Sequence, residues 1–440
     1  MSLLALTLLA GCNSYELFRV TGYEQASFSN DADILFIIDN SQSMAEESTA
    51  LASNFDRFVG KLTNTEGGSN VPTVTLADAV DNYIRETAGG ELFIDYQLAI
   101  TTSSVYYDDG ASPEIEPGEA GTLAYDSASD VPSVIGRGAS DSALAFQTNL
   151  LCEATCWESS MPSNPDYVCG DPLEGDISED YLDCLCGVDE WKNHCGTGQE
   201  QGLEAAYMAL CRATDSPPDD CYTFPEGSAQ AFQSGDEGSN AGLLREGART
   251  LIVMVTDEGD GSLRKDGTEE PAVPGDVDEV VEEYVDLFED MPNIVRFAVI
   301  GPNWDGTNGL CLDSAQTWGV ERYQGIVEAT NGLYIPITDS DAACTPADFG
   351  TSLEQLGELL SNLLTFFPLQ SVPDVASIEA YVDGELVEQA ELVDDEYVDG
   401  WSYDASENAV SFHGSAVPDY NQDVRIFYRP LGGTPRELPF

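Results

Sequence analysis

From about residue 33 to residue 366, apolar runs of strand length alternate with stretches whose apolar residues recur at helical spacing. Asp33 to Ile38 reads as a strand buried on both faces, because five apolar residues follow one another without alternation. Leu51, Phe55, Phe58, Val59 and Leu62 then mark one face of a helix. Leu92 to Thr101 alternates and predicts a strand nearer a sheet edge, and Leu203, Ala206, Tyr207 and Leu210 predict a helix. Leu251 to Val255 is a second central strand, followed by an amphipathic helix through Val277, Val280, Val281, Tyr284, Val285 and Phe288. Val295 to Ile300 and Leu333 to Ile337 predict further strands, and Phe349 to Leu364 a closing helix. Such alternation predicts an α/β fold: a doubly wound, mostly parallel sheet with helices on both faces.

Two stretches break the rhythm. Val105 to Gly196 is far longer than an ordinary connection, so residues 105–196 are expected to be an insertion at one end of the sheet, with Ser142 to Leu151 helical. After Pro368 the pattern changes to short strands: Ile378 to Val382, an Asp383-Gly384 turn, Trp401 to Tyr403, Val410 to Phe412 and Val424 to Tyr428. The expected division is therefore a signal segment at 1–11, a linker at 12–32, the α/β domain at 33–366 and a small all-β domain at 369–440.

Charge changes the picture most. Sixteen Lys and Arg stand against eighty Asp and Glu, a formal net charge of −64. A surface of that sign repels phosphate backbones, which argues against nucleic acid as a partner, and it concentrates cations. Only three basic residues are Lys (Lys61, Lys192 and Lys265), a balance that suits either a surface adapted to high external salt or an acidic bacterial surface protein.

The first residues carry a targeting pattern. Leu3 to Ala10 is a short apolar run, and Leu9-Ala10-Gly11-Cys12 fits a bacterial lipoprotein signal, with Cys12 the lipidated residue, although Met1-Ser2 lacks the basic charge such signals carry. Asn13, in place of Asp, points to the outer membrane, and lipid is the only membrane contact expected. The ten remaining cysteines fit disulfides of an oxidising compartment: Cys152, Cys156, Cys169, Cys184, Cys186 and Cys195 in one cluster, with Cys211–Cys221 and Cys311–Cys344 as local pairs. Spacing leaves connectivity within the six open. A zinc site at Cys152, Cys156, Cys184 and Cys186 is the weaker reading, since C-x3-C and C-x-C are poor zinc spacings.

The first predicted strand ends in Asp39-Asn40-Ser41-Gln42-Ser43-Met44, a carboxylate and two hydroxyls suited to a hard divalent cation. Thr197 stands ahead of the helix at Gln199 to Leu210, and Asp257 ends the strand at Thr250 to Thr256. Strand ends and helix starts are where open α/β sheets place ligands. This constellation resembles the metal-ion-dependent adhesion site of von Willebrand factor A (vWA) domains. The stretch Asn240 to Ser262 resembles secreted vWA lipoproteins of myxobacteria and their relatives. The resemblance implies that Ser41 and Ser43 bind the metal directly, Thr197 directly or through water, and Asp39 and Asp257 mainly through water. It implies Mg²⁺, with Ca²⁺ or Mn²⁺ as alternatives, and a protein ligand that offers an Asp or Glu to the remaining position. Glu258 stands where many such domains have Gly, a departure that adds negative charge and could draw the site towards Ca²⁺.

The expectation is thus a binder and not an enzyme. His194 and His413 are the only histidines, no G-x-S-x-G elbow is present, and the acidic loops at Asp257 to Asp260 and Asp339 to Asp341 lack EF-hand spacing. The alternative is a structural envelope protein in which the metal only stabilises the fold.

Overall fold

A computed structural model describes, with short gaps, residues 24–44, 95–105, 117–136, 142–222, 232–262, 277–302, 319–337, 355–359, 366–405 and 408–431. The chain divides into two units, Asp31–Leu364 and a second formed by Met1–Asn30 together with Thr365–Phe440.

Among the described residues the larger unit is built on six strands: β2 (Asp31–Ile38), β3 (Asp95–Thr102), β4 (Val134–Gly136), β5 (Arg249–Val255), β6 (Ile294–Gly301) and β7 (Leu333–Pro336). They lie in the order β4-β3-β2-β5-β6-β7. All neighbours pair in parallel except β4, which runs antiparallel to β3 at the edge. The unbroken apolar runs find their reason here. Every residue of β5 is buried, as is every residue of β2 after the first, because helices and loops cover both faces. The chain leaves β2 towards one edge and β5 towards the other, so these two central strands form the switch point of a doubly wound sheet.

Among the described residues the sheet is accompanied by α-helices α1 (Ser142–Thr148), α2 (Glu179–Cys186), α3 (Gly202–Ala213), α4 (Val277–Glu289) and α5 (Val320–Ala329). Helix α3 is buried from Gly202 to Arg212, which its Ala-rich sequence permits through close packing. Helix α4 is amphipathic as its spacing predicts: Val281, Tyr284, Leu287 and Phe288 are buried while Glu282, Asp286 and Glu289 face solvent. The expected helix through Leu51 to Leu62 lies outside the described residues. Of the expected closing helix only residues 355, 356 and 359 are described, and they are helical.

The inserted segment is held by disulfides, not zinc. Cys152 bonds Cys186, Cys156 bonds Cys195, and Cys169 bonds Cys184; Cys211–Cys221 forms as its spacing predicts. Cys311 and Cys344 lie outside the described residues. Each such bond contributes roughly 2–4 kcal/mol by restricting the unfolded chain. Helix α1 continues into a π-helical turn at Asn149–Glu153, close to the helical stretch expected at 142–151.

The smaller unit is all-β. Its strands are β1 (Glu24–Phe28), β8 (Phe366–Pro368), β9 (Glu379–Val382), β10 (Glu385–Val387), β11 (Glu391–Val393), β12 (Glu396–Val398), β13 (Gly400–Asp404), β14 (Ala409–His413) and β15 (Val424–Tyr428). They form a β1-β15-β9-β10 sheet, a β13-β14-β8 sheet and a β11-β12 hairpin. Phe367, Trp401, Phe412, Ile426 and Tyr428 are among its core residues. Asp383 and Gly384 link β9 to β10 with φ of 50° and 80°, the left-handed pair that a two-residue hairpin needs. One segment read as linker behaves otherwise: within residues 12–32, Glu24–Phe28 pairs antiparallel with Val424–Tyr428 as part of this unit.

Candidate functional site

The switch point is occupied by Asp39, the first residue after β2, and by Thr256 and Asp257, the first residues after β5. The register of the two strands, Ile38 opposite Val255, brings these ends level. Asp39 is fully buried. Its backbone N–H donates to the Val255 carbonyl at 2.9 Å, which continues the pairing one residue beyond the strand. Its carboxylate is held from both sides: Oδ1 accepts from the Ser41 N–H at 2.8 Å and Oδ2 from the Thr256 hydroxyl at 2.6 Å. The Glu258 N–H in turn donates to the Thr256 hydroxyl oxygen at 3.0 Å.

Of the residues singled out from sequence, Asp39, Ser41 and Asp257 come together at this end of the sheet, all of them buried. Ser43, Thr197 and Cys12 lie outside the described residues. Gly196 and Glu200, on either side of the segment that contains Thr197, are described. The Gly196 N–H donates to the Asn40 carbonyl at 2.6 Å, and Glu200 pairs with Ser104 in an isolated bridge just past the end of β3.

Glu200 escaped the sequence reading. It is 4% exposed, its carbonyl accepts from the Gly261 N–H at 2.6 Å, and its carboxyl hydrogen-bonds Glu258. Burial raises its pKa, and the negative charges of Asp39 and Glu258 add to the shift. Burial likewise raises that of Asp39, against the hydrogen bonds from Thr256 and Ser41. No local pattern announces Glu200, because its burial rests on Ser104 and Gly261, both distant in the chain. Next to it Asp260, also fully buried, has a different solution: it accepts from the Leu203 N–H at 3.1 Å and pairs with the Arg322 guanidinium at 3.3 Å.

Among the described residues the donors at the switch point, on Asp39, Ser41, Thr256 and Asp257, are carboxylate and hydroxyl oxygens. That is the chemistry of Mg²⁺, Ca²⁺ or Mn²⁺ and not of zinc or copper. Among the described residues no group of three or more His, Cys, Asp and Glu is arranged to hold a metal ion, so the fit depends on the hydroxyls.

The class is set by the chain's own sheet: a doubly wound, mostly parallel α/β fold with an acidic motif at the switch point. No family model matches the chain, and no curated protein matches it. Among solved structures it is similar to a von Willebrand factor type A protein from Catenulispora acidiphila (TM-score 0.28, 9% identity, 94% of this chain and 62% of that one). It is also similar to the human COPII-coat protein Sec24c (TM-score 0.30, 9% identity, 92% of this chain and 42% of that one). A third is the pilus adhesin RrgA from Streptococcus pneumoniae (TM-score 0.26, 9% identity, 94% of this chain and 60% of that one). The chain thus spans less than two thirds of the length of each. These are likenesses of general layout, and nothing those proteins do is carried over to this one.

Proposed function

We propose that this chain is an exported, lipid-anchored envelope protein that binds a divalent cation, Mg²⁺ in the first instance, at Asp39, Ser41, Ser43, Thr197 and Asp257. Through that cation it binds a carboxylate of a protein partner. One observation carries the reading: a buried carboxylate oriented by two hydrogen bonds stands with Ser41 and Asp257 at the sheet's switch point, where open α/β sheets place ligands. The cation supplies positive charge that would let so acidic a chain attract an acidic ligand. Ser41 and Ser43 would bind it, while Asp39, fixed by Thr256, orients the shell. The disulfides among the described residues support export, because such bonds persist in oxidising compartments. Among the described residues no helix is long and apolar enough to cross a membrane. Binding, without turnover, is the activity proposed.

Capture of a partner from envelope extract by the full chain is expected in Mg²⁺ and lost in EDTA, and lost with a Ser41→Ala/Ser43→Ala variant. Capture that survives both treatments would remove the cation from the mechanism. The depth of Asp39, Ser41 and Asp257 (0%, 3% and 6% exposed) favours a second reading, in which the cation only stabilises the fold. A Mg²⁺-dependent melting temperature without Mg²⁺-dependent capture would select it.

A further inference from the structure

Asn40, between Asp39 and Ser41, is 4% exposed and fully engaged. Its Nδ2 donates to the His194 carbonyl at 3.0 Å, and its Oδ1 accepts from the Ser104 hydroxyl at 2.8 Å. Its own carbonyl accepts from the Gly196 N–H. Any side chain at position 196 would run into the Ser104 hydroxyl and the Asn40 amide, so only glycine permits this approach. Residues 194 and 196 are therefore clasped to the loop that carries the cation motif, and Cys195 lies between them.

Cys195 is bonded to Cys156, which is 2% exposed at the base of the inserted segment. That base is well fixed. The Trp157 indole N–H donates to the Leu151 carbonyl at 2.7 Å, and the Thr155 hydroxyl to the Leu150 carbonyl at 2.9 Å. A continuous physical path runs from the buried base of the insertion, through Cys156–Cys195, to Asn40 and the two motif residues beside it.

We propose that Asn40 is a positioning residue for the cation motif, and that the Cys156–Cys195 bond locks the insertion onto it, so that the insertion sets the affinity for the cation. This rests on the cation reading given above. The reason is preorganisation: one residue separates Asp39 from Ser41, so whatever fixes the Asn40 peptide fixes where both neighbours present their oxygens. A loop already fixed loses less freedom when the ion binds. Outer residues that orient ligands in this way typically change metal affinity by about 10–100-fold.

The test is titration of the full chain with Mn²⁺, free ion followed by electron paramagnetic resonance, in high monovalent salt so that the diffuse pull of the acidic surface is screened. Near-UV circular dichroism confirms folding of each variant. Asn40→Ala and Cys156→Ser/Cys195→Ser should each weaken the saturable site about tenfold or more, and Ser104→Ala, which removes one of the amide's partners, should weaken it less. Cys169→Ser/Cys184→Ser breaks a disulfide of the same insertion that does not reach Asn40, and should leave Mn²⁺ affinity within about twofold, though it too costs stability. The proposal is overturned if Asn40→Ala binds as tightly as the parent, or if the two disulfide variants lose affinity equally. A parent chain with no saturable site sensitive to Ser41→Ala would overturn the cation reading itself, and this inference with it, a result distinct from the other two.

Discussion

Strand β2 has a buried aspartate near each end, and the two are treated differently. At the amino end Asp33, fully buried, accepts from the Arg245 backbone N–H and from its guanidinium Nε, both at 2.7 Å. At the carboxyl end Asp39, equally buried, accepts only from a backbone N–H and from hydroxyls, and among the described residues it has no basic partner. Asp260, close to that end, has Arg322. Among the described residues Arg245 and Arg322 thus meet buried acids, whereas Asp39 is held by neutral donors. Burial alone therefore does not decide how an acid of this chain is held. The acid left to neutral donors marks the end where a mobile cation would complete the charge.

The sharpest way to break this contrast is Arg245→Ala. It leaves Asp33 buried without its counter-charge and should cost about 3–5 kcal/mol, read from the denaturant midpoint. A loss below about 1 kcal/mol would mean that Asp33 does not depend on arginine and that the two ends are alike.

The pH dependence at the amino end comes next. Burial pushes the Asp33 pKa up to about 6 despite Arg245, against 3.8 for a free side chain. Between these values the folded chain holds a proton that the unfolded chain has released. The resulting stability is present below pH of about 4 and lost as pH rises through about 6, about 3 kcal/mol in all. Asp33→Asn should flatten that part of the melting-temperature profile relative to the parent. Identical slopes would show that Asp33 does not titrate in this window.

Asp39→Asn should behave in the opposite sense to Arg245→Ala. In chelator it removes a buried charge that has only neutral donors, so stability should be unchanged or slightly raised. The stabilisation of the parent by Mg²⁺, about 2.7 kcal/mol at a hundredfold excess over Kd, should disappear. The smallest effect is expected from Thr256→Val, which removes the hydroxyl that holds Asp39 Oδ2 and should weaken Mg²⁺ about tenfold.

The central strands were legible because parallel strands buried on both faces leave continuous apolar runs, as in Ile34 to Ile38 and Leu251 to Val255. Helix α4 was legible from its one-sided spacing, and the β9–β10 turn from Asp383-Gly384. What sequence could not supply was long-range. Glu24–Phe28 joins the other unit by pairing with a strand some four hundred residues away, and no local pattern encodes that. Six clustered cysteines are equally silent on partner choice, because spacing does not fix which sulfurs meet. At the site, Asp39 and Asp257 could be read from strand ends. Glu200 could not, because an acid ahead of a helix ordinarily faces solvent, and its burial depends on Ser104 and Gly261, both distant in the chain.

The proposed occupant of the oxygen-lined end of the β2–β5 switch point is a divalent cation. Calorimetric titration of Mg²⁺ into the full chain, in high monovalent salt, tests it most directly. One saturable site is expected in the parent and absent from Ser41→Ala/Ser43→Ala, above a diffuse background common to both. Superimposable isotherms for the two proteins would contradict it.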